Sequence, residues 1–240
     1  MKNNFKLVLL LPIILLMTAC SRNFLSTDQQ NYYADEMVTV IKGKTHPQAK
    51  VSYQLDSQAQ FHQAVNHDGS FAINIARAPQ KQRVTIKSNY HQQRLSQVVQ
   101  ITKSKAIMPY QAFAQKYNYL LMAQQQKPTL DLNLNNKMKN IVQMPQQTIR
   151  INVQQHQLMA MTLIYPLKVI KTKSGMSTTA KSIVTMSELV GANGRSVLKQ
   201  LSKQMRAAKK NQTSLKTITS NGKQFKLGVS SSKFYLYITR

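Results

Sequence analysis

Two hundred and forty residues suit one large domain or two small ones. Thirty-three Lys+Arg stand against seven Asp+Glu, a formal charge of +26, which leaves few carboxylates for paired acid/base catalysis or for calcium and magnesium cages. The single cysteine, Cys20, excludes an internal disulfide framework and a cysteine-rich zinc site, while 42% apolar residues are enough for an ordinary core.

Residues 1–20 begin with a positive head (Lys2, Lys6), continue as eleven apolar residues from Leu7 to Met17, and close on Thr18-Ala19-Cys20. Such a run spans roughly 16 Å as a helix, about half of the ~30 Å hydrocarbon core, so it is too short to cross a membrane. A charged head, a short apolar run and small residues at the cut describe an export signal. Leu16-Met17-Thr18-Ala19-Cys20 resembles the lipobox of bacterial lipoproteins, a family plentiful in Gram-positive cells. The resemblance implies residues 1–19 as signal peptide, diacylglycerol (palmitate and similar chains) on the Cys20 sulfur, and a lipid anchor at the extracytoplasmic face of the cell membrane. Two acyl chains at ~0.8 kcal/mol per buried methylene anchor stably where one is marginal. Residues 20–35 are polar apart from a few aromatics and lack a sustained period, so they are expected to form a tether.

From Met37 the pattern turns to alternation. Met37–Ile41, Ala49–Leu55, Phe71–Ile75, Gln82–Lys87 and Leu95–Ile101 are short β-type segments separated by turn residues, of which Asp68-Gly69 is the sharpest. This spacing predicts an antiparallel sandwich over 36–102. Gly43-x-Thr45-x-Pro47-x-Ala49-x-Val51 followed by Asp68-Gly69-Ser70-Phe71 resembles the strand lettering of bacterial immunoglobulin-like domains, which implies a spacer or adhesive module. His62 and His67 lie near the hairpin, but their spacing and the single carboxylate at Asp68 do not make a closed metal site. Asp35 and Glu36 are neighbours in sequence; on a strand they would face opposite ways and make a poor acid/base pair.

Phe113, Tyr117, Leu120 and Leu121 form a helical stripe after Pro109 and before Pro128. Residues 103–147 are therefore expected to be a helical bridge and a loop with one edge strand. Tyr110, Tyr117 and Tyr119 on it would serve either packing or stacking on a sugar or base. Residues 148–240 predict a small α+β unit: strands at Thr148–Val153 and Leu158–Tyr165, a short strand at 167–171, a polar loop at 171–181, and a main helix from Arg195 or Ser196. Strands follow at Ser214–Thr219, Gln224–Val229 and Phe234–Ile238, the first two joined by the hairpin dipeptide Asn221-Gly222. The fold class is thus mostly β, an immunoglobulin-like sandwich followed by an antiparallel sheet covered by one helix.

On the main helix Val197, Leu198, Leu201, Met205 and Ala208 make the apolar face, while Arg195, Lys199, Lys203, Arg206, Lys209 and Lys210 lie away from it with no acid in the segment. Like charges four apart do nothing for helix stability. A solvated face and contact with a polyanion both account for them. Residues 128–240 hold eighteen Lys+Arg against two Asp+Glu, a balance of +16, and a field of that sign concentrates anions. Outside a membrane the nearest polyanions are lipid head groups, teichoic acids and extracellular DNA. The basic helix carries no aromatics and no nucleic-acid-binding motif appears, so any DNA binding would be non-specific. None of the common nucleophile, zincin, phosphate-loop or dinucleotide spellings occurs. The sequence therefore points to a non-enzymatic surface protein without cofactor that docks on anionic envelope polymers. The rival is an accessory subunit that binds another envelope protein through an apolar patch.

Overall fold

The computed structural model describes residues 22–211 and 215–240, with side chains at 208–211 left out. The signal segment 1–19 and Cys20 lie outside the described residues. Two units follow one another along the chain.

The first unit is a sandwich built from β1 (Leu25–Thr27), β2 (Asn31–Tyr32), β3 (Val38–Thr45), β4 (Lys50–Leu55), β5 (His62–Ala64), β6 (Asn66–His67), β7 (Ser70–Ala76), β8 (Gln82–Tyr90) and β9 (Gln93–Ile101). One sheet runs β1-β3-β7-β6 and the other β2-β9-β8-β4-β5, antiparallel throughout except where β2 joins β9 in parallel. Alternation decides which residues meet between the sheets: Ile41, Phe71, Ile73 and Ile75 from one, Val51, Val84, Ile86, Val99 and Ile101 from the other. Asp68 and Gly69, at φ 47° and 87°, make the tight turn ahead of β7.

The expected tether is corrected here. Residues 25–27 and 31–32 are strands, and Tyr32 is in the core. Their polarity hid them, because what holds the segment is a buried polar cluster. Thr45 Oγ1 donates to the Phe24 carbonyl oxygen (2.7 Å) and lies 2.6 Å from Ser88 Oγ, which in turn donates to Asn23 Oδ1 (3.1 Å). Thr45 and Ser88 come from opposite sheets and are fully buried, so the segment is fastened to both.

The second unit begins earlier than expected and absorbs the bridge. It comprises β10 (Met108–Pro109), α1 (Tyr110–Ala123), β11 (Lys137–Met144), β12 (Gln147–Gln154), β13 (Gln157–Pro166), α2 (Leu167–Ile170), α3 (Lys173–Leu189), α4 (Gly194–Asn211), β14 (Ile218–Ser220), β15 (Lys223–Val229) and β16 (Lys233–Thr239). The antiparallel sheet reads β11-β12-β13-β16-β15-β14, two three-stranded meanders joined at their third strands. Residues at every second position (Ile149 and Ile151, Leu163 and Tyr165, Phe234 to Ile238, Phe225) face one helical layer. α1 contributes Tyr110, Phe113 and Tyr117, α3 contributes Ile183 and Met186, and α4 contributes Val197 and Leu201.

The mostly-β fold class holds, with a larger helical layer than the one covering helix expected. Residues 167–170 are a turn of helix, not a strand, and 173–181 are helix, the first half of α3, where a polar loop was expected. The first half of α3 buries only Thr179, with Gly175 and Ala180 half-buried, so it shows no apolar stripe. Thr172 caps it by accepting from the Gly175 N–H (3.0 Å), and Gly191 at φ 83° ends the stretch. The hairpin Asn221-Gly222 adopts φ 48° and 70°, as its spelling demands.

A short connection joins the units, and polar bonds lock them. Asn152, fully buried on β12, donates through Nδ2 to the carbonyl oxygens of Arg77 (2.9 Å) and Met37 (3.1 Å). Arg77 reaches the other way, donating through Nη1 to the Ala34 carbonyl (2.8 Å) and through Nη2 to that of Arg240 (2.7 Å). Burial pulls the Arg77 pKa down, partly offset by Asp35.

Candidate polyanion-binding surface

α4 is amphipathic because its apolar residues recur every three or four positions. Asn193 opens it, its Oδ1 accepting from the Ser196 N–H (2.9 Å). Val197 and Leu201 are then buried on the sheet, with Leu198 packed beside them. At 3.6 residues per turn, Arg195, Lys199, Lys203 and Arg206 fall within roughly a quarter-turn of arc on the opposite side. All four are exposed. No ion pair reaches any of them among the described residues. The structure thus brings four of the six basic residues singled out by sequence onto one solvent-facing stripe. The side chains of Lys209 and Lys210, like the lipidation residue Cys20, lie outside the described residues.

Three of the acids are engaged elsewhere, Asp56 with Arg83 at 3.8 Å. Asp35 and Glu36 lie off any strand and converge on one cation, Lys226 Nζ, at 2.5 and 3.4 Å. This corrects the expectation that they face apart, since neither is held in a pleat. The pair raises the Lys226 pKa, with the Asp35 hydrogen bond first among the causes. Beside it Tyr237, packed over Gly228, is pushed up to about 12 by burial and by the Glu36 carboxylate.

That corner belongs to a cleft between the units that sequence reasoning did not find. Its volume is about 330 Å³, and Met37, Arg150, Ile164, Tyr235 and Tyr237 line it. Register explains it: Arg150, Thr162 and Tyr237 stand side by side across β12, β13 and β16, on the face away from the helices. Tyr235 and Tyr237 sit on one face, as alternation demands, with ring centroids 6.0 Å apart and planes 3° from parallel. The only advance signal was that alternation. The cleft stacks rings and offers one guanidinium, which already has a partner, Arg150 Nε donating to Asn140 Oδ1 at 2.8 Å.

The tyrosines of α1 divide. Tyr110 and Tyr117 are buried in the core, Tyr110 donating to the Asp131 carbonyl (2.8 Å), whereas Tyr119 is exposed, so they form no common platform. His62 contacts Gln58 and tilts against Tyr53, and His46 stacks on Tyr90 at 3.7 Å. Between α3 and α4 runs an apolar groove of about 220 Å³ edged by Met176 and Met205. Among the described residues no helix is long and apolar enough to cross a membrane.

No protein-family model matches the chain, and no curated protein does. Among solved structures, the apo form of β-glucuronidase 3 from Bacteroides uniformis is similar over 58% of this chain at 8% identity, with a TM-score of 0.28. This chain spans 16% of the length of that enzyme.

Proposed function

We propose that the protein is a lipid-anchored, non-enzymatic surface protein whose second unit docks electrostatically on anionic envelope polymers such as teichoic acid. The observation that carries this is the unpaired basic stripe Arg195-Lys199-Lys203-Arg206, exposed along one side of α4. A stripe of four cations along three turns matches a linear array of phosphates better than a single small anion. The unit around it carries +16 from residues 128–240, and no ion pair reaches those cations among the described residues. The lipobox spelling supports a diacylated Cys20 that holds this surface near the envelope.

The full chain in phosphatidylcholine vesicles should co-sediment with poly(glycerol phosphate), with affinity falling steeply as salt rises. Replacing Lys199, Lys203 and Arg206 by Gln should flatten the salt dependence by roughly two to three counter-ions. Binding that ignores salt, or survives the triple replacement unchanged, refutes the reading. The rival, an accessory subunit, draws on the groove edged by Met176 and Met205. It requires salt-insensitive capture of one defined envelope protein.

A further inference from the structure

The apolar groove between α3 and α4 has a closed end and an open one. At the closed end the helices touch, because Gly194 lies against Val184: a Cβ there would come 2.5 Å from the Val184 carbonyl oxygen. Outward from that contact the walls are Ile183 and Ala180 on α3 and Leu198 and Leu201 on α4, over a floor of Ile170 and Phe234. Met176 and Met205 form the lips of the open end, 57% and 42% exposed. Their unbranched thioether side chains adapt readily to an apolar guest.

The dimensions select the guest. Met176 to Ile183 and Leu198 to Met205 are each seven residues of helix, roughly 10 Å. A volume of about 220 Å³ spread over that length leaves a section of roughly 20 Å². One extended hydrocarbon chain has that girth. A helix, about 10–12 Å across with its side chains, is too wide to enter. A second copy of this chain is disfavoured on another ground, because it would bring two unpaired basic stripes together.

The open end also has a sign. Helical spacing puts Lys173 one turn before Met176 on α3, and Arg206 one turn beyond the lining residue Ser202 on α4. Both are exposed, and no ion pair reaches either among the described residues. Glu188 is the only acid in the sequence of either helix. It stands twelve residues beyond Met176, roughly 18 Å along α3 and past the closed end. An apolar slot that opens between unpaired cations complements an amphiphile with a thin chain and an anionic head.

We infer that this groove seats one acyl chain of an anionic phospholipid, with the head-group phosphate at Lys173 and Arg206. The inference does not rest on the polymer reading, with which it shares Arg206 alone.

The probe is lysophosphatidylglycerol with a diazirine in its single acyl chain, doped into phosphatidylcholine vesicles together with the full chain. After illumination the adducts are mapped by peptide mass spectrometry. They should concentrate on the groove-facing residues of α3 and α4, and the same acyl chain on lysophosphatidylcholine should give at least tenfold fewer. Replacing Met176 and Met205 together by Gln should cut labelling at least fivefold. Both side chains are exposed, so the far-UV spectrum should be kept and poly(glycerol phosphate) binding unchanged. Lys173→Gln should lower the preference for the anionic head about fivefold. Groove adducts without polymer binding would leave the inference standing, whereas polymer binding without groove adducts overturns it. Adducts spread over the chain, equal labelling by the two head groups, or labelling that survives the methionine replacements also overturns it. So does displacement of the probe by an acidic amphipathic Leu–Glu helix, which would assign the groove to a protein partner.

Discussion

Asn152→Ala gives the sharpest test of how the two units are joined. The side chain is fully buried, and both of its donated bonds cross from the second unit to the first. The consequences for the two acceptors differ. Met37 O keeps a partner, since it also accepts from the Arg77 N–H at 3.0 Å. Arg77 O loses the bond from Asn152, which leaves a buried carbonyl short of a donor at about 1–3 kcal/mol, to which the second lost bond adds about 1 kcal/mol. Gln154, whose Nε2 donates to Asn152 Oδ1, is half-buried and can turn to water. The sum is about 3 kcal/mol, or a fall in Tm of about 6–12 °C for a chain of this size. Calorimetry and tyrosine fluorescence should show this loss, with the two units melting at separate temperatures in the variant. Asn152→Asp should be worse at neutral pH, because it turns a carboxylate oxygen toward the carbonyl oxygens. A Tm within about 1 °C of wild type for Asn152→Ala would refute the account, because the units would then be held by something other than these bonds.

Amide exchange should show residues 25–27 and 31–32 protected together with β3 and β9, and Ser88→Ala should release the protection by breaking the polar cluster around Asn23 and Thr45; exchange of the wild-type segment within seconds would restore the tether. Lys199→Glu should raise stability by a few tenths of a kcal/mol in urea titrations, since it places an acid four residues from both Arg195 and Lys203, and a loss would mean that Lys199 makes a contact absent from the fold described. Alkaline pH should unfold the protein from about pH 10 upward. Tyr237 has its folded pKa raised to about 12 against 10.0 unfolded, so the stability it supports is complete below pH 10 and is lost as pH climbs toward 12. Buried Tyr110, Tyr117 and Tyr165 shift the same way, and absorbance of phenolate near 295 nm should appear together with unfolding.

Where side chains alternated cleanly or repeated at helical spacing, the chain could be read in advance. β3, β4, β7, β8 and β9 stand within a few residues of their expected places, as do α1 and α4, because each carries enough apolar residues at strand or helical spacing to mark it, even where single members such as Val40, Leu95 and Val98 are exposed. α3 could not be read so. Its opening, Lys173 to Thr178, buries nothing large, and its stripe (Thr179, Ile183, Met186, Val190) begins with a hydroxyl that only the tertiary setting makes a core residue. β1 and β2 failed for a related reason: a pair of two- and three-residue strands carries too few side chains to show a period, and their fastening is polar. Of the candidate surface, the stripe on α4 was legible as a helical spacing of cations. The cleft at Tyr235 and Tyr237 and the groove at Met176 and Met205 were not, since each assembles residues from several elements.

The order of the second sheet sets a schedule for making it. The flank of β13 that carries Met161, Leu163 and Tyr165 is closed only by β16, after α2, α3, α4, β14 and β15 have all been synthesised. Until then a nascent chain holds an apolar strand with an open side, and such an edge invites pairing with other chains. Conditions that slow translation over residues 167–232, or that remove the chaperones attending that stretch, should therefore depress yield far more than they depress the stability of the finished molecule.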